Sequence, residues 1–135
     1  MSGLRVVVDT NVLVSAALKE TGAPAQVIAA IGQGRLEPLV SRAILAEYRE
    51  VLSRPRFNFP APLIAAFLDT FSEFALTLEP DTSPFPALPD PDDAPFIALA
   101  RFAGCPVVTG NTRHFPPETA VEVLTPGECL ARVMG

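Results

Sequence analysis

The run Leu4-Arg5-Val6-Val7-Val8, followed by Asp9-Thr10-Asn11, limits the fold more than any other stretch of the chain. A continuous apolar segment rich in β-branched residues and bounded by polar ones describes a strand buried on both faces of a parallel sheet. It ends on an aspartate and two small polar residues, and a helix-patterned run, Val12 to Leu18, comes next. Ligands of open α/β sheets bind in the crevice beyond the carboxyl ends of the strands. Asp9 therefore stands where a metal-binding or catalytic carboxylate is useful. The plainer account is a helix N-cap, which Asp also favours because its side-chain oxygen accepts orphan N–H groups.

The rest of the chain repeats the strand–helix alternation. A turn at Thr21-Gly22-Ala23-Pro24 leads into a short helix over Ala25–Ile31, and Leu36–Val40 reads as a second strand. Ser41 has the place of an N-cap for a helix reaching Leu52, with Ile44, Leu45, Tyr48, Val51 and Leu52 as its apolar stripe and Pro55 beyond its end. Pro60 and Pro62 open another helix, whose expected buried side holds Leu63, Ile64, Phe67, Leu68, Phe71 and Phe74. Ala75–Leu78 is a third expected strand. Pro80 to Pro91 contains five of the fifteen prolines and must be an irregular connection. A helix over Asp93–Ala103 stops at Gly104, strands follow at Pro106–Thr109 and Val121–Leu124, and Pro126 begins a terminal helix.

This order implies right-handed crossovers and a single α/β domain over residues 1–135, a three-layer α/β/α sandwich around a central parallel sheet of four to five strands. A chain of 135 residues, 49% hydrophobic, can bury such a core without disulfides or structural metal. Cys105 and Cys129 fall in separate segments and read as small buried hydrophobes; with His114 as the one histidine, a Cys/His zinc site is disfavoured. No apolar run approaches the roughly 20 residues of a membrane span, and the N-terminus lacks the layout of a secretory signal. The expected location is the cytoplasm. Asp9-Thr10-Asn11 also occupies the place of a glycine-rich phosphate loop, which disfavours dinucleotide and nucleoside-triphosphate chemistry.

The formal charge of −5 argues against bulk phosphate neutralisation as a way of holding nucleic acid. It leaves room for a nuclease, because divalent cations invert local charge. Acids fall where the sheet would gather them: Asp9 after the first strand, Glu47 on the helix after the second, and Asp90, Asp92 and Asp93 opening the helix before the fourth. Asn111 follows the fourth strand, with Arg113 and His114 just beyond. Clustered oxygen ligands with no thiolate match Mg²⁺ or Mn²⁺. Each acid has a plain alternative: a solvated helix residue for Glu47, a helix cap for Asp92 or Asp93. Arg42, Arg49, Arg54 and Arg56 group loosely around one helix, as a phosphate-binding or merely solvated face would.

Four segments carry a more specific likeness. They are Val6-Val7-Val8-Asp9-Thr10-Asn11-Val12-Leu13-Val14-Ser15-Ala16; Leu45-Ala46-Glu47-Tyr48-Arg49-Glu50-Val51-Leu52-Ser53-Arg54-Pro55; Asp90-Pro91-Asp92-Asp93 with Phe96-Ile97-Ala98-Leu99-Ala100; and Val107-Val108-Thr109-Gly110-Asn111. Taken in order, they resemble the PIN domain, a small metal-dependent ribonuclease fold, and in particular the VapC-like toxins of type II toxin–antitoxin pairs. The resemblance implies that Asp9, Glu47 and Asp93 hold Mg²⁺ or Mn²⁺, with Asp92 or Asp90 near Asp93. It implies that Thr10 or Asn11 orients Asp9 or a phosphate. It also implies an RNA substrate, an antitoxin protein as partner, and a homodimer. Two positions depart from the family pattern. Ala94 stands where many members carry an acid, and Asn111 where an Asp is usual, so each removes a charge from the metal site. For His114, contact with phosphate or structural packing is favoured over proton transfer. The competing expectation is a catalytically impaired PIN-like module that binds RNA or protein. A phosphoryl-accepting receiver domain fits poorly, since the one lysine, Lys19, is in the first helix.

Overall fold

The computed structural model describes residues 4–80 and 91–134, excluding the side chains of Pro91 and Met134. In order, the elements are β1 (Leu4–Val8), α1 (Thr10–Leu18), α2 (Ala23–Gly32), β2 (Leu36–Val40), α3 (Arg42–Leu52), α4 (Ala61–Phe74), β3 (Leu76–Thr77), α5 (Ala94–Ala103), β4 (Val107–Val108), β5 (Val123–Leu124) and α6 (Pro126–Met134). Short 3-10 turns occur at Pro91–Asp93, Thr112–His114 and Pro117–Thr119.

All five strands form one parallel sheet in the order β3-β2-β1-β4-β5. Val6, Val7 and Val8 have no exposed surface. Successive strand residues point to opposite faces, so helices cover both sides of β1, as the unbroken apolar run predicts. α5 packs on β1 and β4, α2 and α4 pack on β2, and α6 closes against α2 and β5. The chain steps outward from β1 to β2 to β3, then returns to lay β4 on the other flank of β1, with Val7 opposite Val107 and Val8 opposite Val108. That reversal makes the gap between the carboxyl ends of β1 and β4 the topological switch point, where α/β sheets bind ligands.

Local sequence explains the element ends near this gap. Ser41 caps α3 by accepting a hydrogen bond from the Ile44 amide at 3.2 Å. α5 stops where Gly104 adopts φ +67°, a left-handed conformation that costs glycine little. Tyr48 of α3 meets Phe71 of α4 at 4.9 Å between ring centroids and Phe96 of α5 at 6.3 Å, tying three helices together.

Several elements differ from their expected bounds. α2 starts two residues earlier than the pattern suggests, at Ala23, because Pro24 fits a first helical turn. Asp93 lies in a 3-10 turn, and α5 itself begins at Ala94. The last three strands shrink to two paired residues each: β3 and β5 are sheet edges, and Pro106 has no N–H for a ladder. Of the expected apolar face of α4 only Phe71 is fully buried, and its neighbours are half-covered, as on a helix at the rim of a sheet. Asp90 and most of the proline-rich connection lie outside the described residues. Cys105 and Cys129 are buried free thiols. Among the described residues no helix is long and apolar enough to cross a membrane.

Candidate active site

Asp9 leaves β1 with its backbone amide donating to the Val108 carbonyl at 2.9 Å. Its carboxylate is thereby carried to the end of β4. Asp9 occupies the N-cap position of α1 with extended backbone, yet its side chain makes no capping bond. It is only 5% exposed, and its Oδ2 accepts a hydrogen bond from Thr109 Oγ1 at 2.8 Å. That hydroxyl in turn accepts from Asn11 Nδ2 at 3.1 Å and from the Asn111 amide at 3.0 Å. A hydroxyl has one proton and two lone pairs. With both lone pairs taken, the Thr109 proton is directed at Asp9. Asn11 completes the clasp by accepting from the Gly110 amide at 3.1 Å.

The second acid comes from α3. Glu47 Oε2 accepts a hydrogen bond of 2.5 Å from Thr10 Oγ1 in the first turn of α1. The adjacent Tyr48 is completely buried and donates its hydroxyl to the Val8 carbonyl at 2.5 Å, fixing α3 to the end of β1. Burial first, then the negative charges of Asp9 and Glu47, push the Tyr48 phenol well above its ordinary value. It therefore remains a hydrogen-bond donor at neutral pH.

Asp93 supplies the third acid and is 6% exposed. It also holds an N-cap position, that of α5, without a side-chain capping bond. Its Oδ2 lies 3.3 Å from His114 Nδ1, and His114 Nε2 lies 2.9 Å from Asn111 Nδ2. An amide nitrogen only donates, so Nε2 is the acceptor of that contact. His114 is thus held between Asn111 and a carboxylate. Arg113 is exposed and stands apart from the cleft wall.

These groups line one open cleft of about 280 Å³ whose wall includes Asp9, Thr10, Asn11, Glu47, Asp92, Asp93 and His114. Thr10 bonds Glu47, while Asn11 bonds Thr109, which bonds Asp9. Thr109 was the residue hardest to foresee. In the sequence it is only a polar residue that closes a short apolar strand; in the structure it is fully buried. Arg54, Arg56 and Phe57 also border the cleft. Arg54 makes two bonds to Glu50, at 3.1 and 2.8 Å, which raise its pKa, with smaller contributions from Glu47 and Asp92.

Carboxylates from three segments, without thiolate, are the donor chemistry of a hard dication. Among the described residues no three Asp, Glu, His or Cys side chains yet surround a common point as ligands would. Hydrogen bonds from Thr109 and Thr10 occupy one oxygen each of Asp9 and Glu47. The donors are hard oxygens that share the cleft without converging on one point.

The family model described as PIN domain matches residues 5–113, which include every acid of this cleft. The chain belongs to the PIN domain family. Comparison with curated proteins gives no match. Among solved structures, this PIN domain is similar to VapBC2 from Rickettsia felis, determined bound to a DNA fragment from its promoter, with 13% identity and a TM-score of 0.60 over 90% of this chain and 98% of that one. It is also similar to VapBC-1 from nontypeable Haemophilus influenzae, at 12% identity and a TM-score of 0.61 over 92% and 99% of the two chains. FitAcB from Neisseria gonorrhoeae shares 18% identity and a TM-score of 0.56 over 90% and 98%. At these identities the structural likeness speaks for the fold, and the PIN domain's chemistry has to be argued from its cleft.

Proposed function

We propose that this PIN domain is an endoribonuclease that hydrolyses RNA phosphodiester bonds with Mg²⁺ or Mn²⁺, and that it is the toxin of a toxin–antitoxin pair. One observation carries the reading: Asp9 and Asp93 stand buried at two helix N-termini, cap neither helix, and line the same cleft as Glu47. Burying acids costs free energy unless they are bonded or bind a cation. Carboxylates that leave helix caps unmade and gather at a switch point have a use other than folding. Membership of a nuclease family supports the same conclusion.

In this reading Asp9, Glu47 and Asp93 hold the cation, and Asp92 adds charge at the mouth. Bound there, Mg²⁺ or Mn²⁺ would neutralise charge on the phosphate and favour deprotonation of the attacking water. Thr109 and Thr10 fix the carboxylates they bond, limiting the rearrangement needed on binding. His114 packs beside Asp93 and Asn111 and leaves proton removal to solvent. The antitoxin partner is inferred from the VapBC likeness and would cover the acidic cleft.

The test pairs RNA cleavage with Mn²⁺ calorimetry. Wild-type protein should cleave single-stranded RNA with Mg²⁺ or Mn²⁺ and stop in EDTA, and Glu47→Gln should lose both cleavage and most Mn²⁺ affinity while its melting curve is kept. Cleavage that persists in EDTA overturns the mechanism. A second reading, a catalytically impaired module that binds RNA or protein, is favoured by Ala94 and by Asn111, whose amide is engaged with His114. Absence of Mn²⁺ uptake together with RNA binding would select it.

A further inference from the structure

The segment after α3 has a feature that the carboxylates do not explain. Arg56 and Phe57 reach the wall of the acidic cleft. The Phe57 ring stacks on Phe59 at 5.2 Å between centroids with planes only 6° apart. The Arg56 guanidinium carbon lies 4.8 Å from the Phe57 centroid. Phe59 is partly buried against the core, so the stack is anchored from below. Its backbone is set by two consecutive turn bonds, Phe57 N to Arg54 O and Asn58 N to Pro55 O, each 3.1 Å, and by Asn58 in the left-handed region at φ +51°. Among the described residues Arg56 has no carboxylate partner, whereas Arg54 next to it is committed to Glu50.

We infer that Arg56 and Phe57 form a stacking subsite for one nucleobase of single-stranded RNA, beside the phosphate that enters the acidic cleft. The inference rests on the ribonuclease reading and adds how the strand is gripped. Unpaired bases are held by stacking on aromatic rings and guanidinium planes, and such contacts tolerate any base. A duplex keeps its bases stacked on one another and offers none to the platform. The cationic rim next to carboxylates is also complementary to a polyanion that must approach an acidic pocket. Arg56 therefore serves twice, as a guanidinium over the Phe57 ring and as a counter-charge for the backbone.

The probe is a short fluorescein-labelled single-stranded RNA, titrated by anisotropy in EDTA, with its integrity checked on a gel. Phe57→Ala and Arg56→Ala should each weaken binding about 10-fold. Arg56→Lys, which keeps the charge but loses the plane, should recover only part of that loss. Phe57→Tyr should bind as wild type. This rescue separates lost stacking from a collapsed loop. An RNA with one abasic position at the stacking site should lose affinity for the wild type and not for Phe57→Ala. Arg56→Ala should also flatten the salt dependence, lowering the slope of log affinity against log salt by about 0.7. If wild type binds and cleaves RNA while Phe57→Ala and Arg56→Ala bind equally well, the subsite is overturned and the ribonuclease reading stands. If no variant binds single-stranded RNA in EDTA and the wild type does not cleave it with Mg²⁺ or Mn²⁺, both fall.

Discussion

Ser41 and Asp9 occupy matching places in neighbouring units of the fold. Each follows the last residue of a parallel strand, each is buried, at 2% and 5% exposure, and each stands at the N-cap of the next helix with extended backbone. Ser41 turns its oxygen to the helix it precedes and accepts from Ile44. Asp9 turns away from α1, across the switch point, and accepts from Thr109 on another strand. The better helix cap by charge, an aspartate at a positive helix end, is the one that does not cap. The contrast separates a residue that serves folding from one that serves the cleft, and it can be broken experimentally.

The largest expected effect is on activity. Asp9→Asn should reduce RNA cleavage by roughly three orders of magnitude, the scale of losing one electrostatic contact in a phosphoryl site, with thermal stability unchanged or higher because a buried charge is removed. An active but destabilised variant would make Asp9 a structural residue like Ser41. Thr109→Val keeps the shape and removes the hydroxyl that orients Asp9; Mn²⁺ affinity by calorimetry should fall about 10-fold or more, as when an outer-shell partner of a ligand is lost. Tyr48→Phe should cost about 1–3 kcal/mol in urea unfolding, because the Val8 carbonyl is left without its buried donor. Ser41→Ala should cost about 1 kcal/mol of stability by loss of the cap, with cleavage per folded molecule intact. Smallest is Glu122→Gln, far from the cleft. The Arg132 guanidinium holds the exposed Glu122 carboxyl below its ordinary value. Its contribution is therefore present at neutral pH and disappears as acid protonates it, and the variant should differ from wild type only slightly at pH 7 and not at all at low pH.

Much of the architecture is visible in the residues themselves. Val6-Val7-Val8 declares a doubly covered strand, and the order of strands and helices brings Asp9, Glu47 and Asp93 to one cleft. What the chain conceals is long-range hydrogen bonding. Nothing near Thr109 announces that its hydroxyl orients an acid a hundred residues away, and Asn111 alone does not reveal that its amide is taken by His114. Pattern also overstates burial at the margin: α4 has a full apolar stripe, but a rim helix has neighbours on one side only, so Phe71 alone is enclosed. The Arg56–Phe57–Phe59 stack escapes notice for a related reason, since it forms in a turn around a left-handed Asn58, where neither helix nor strand period applies.

The clasp between Asp9 and Thr109 spans 100 positions of sequence, and the strand pairing that supports it joins the first strand to the fourth. During synthesis the carboxylate emerges first and waits for its hydroxyl until β4 has been made. A ribosome-tethered fragment lacking β4 thus carries Asp9 and Glu47 but has no Thr109 to orient the former. In the ribonuclease reading, the pocket gains its orienting hydroxyl only once β4 has paired with β1.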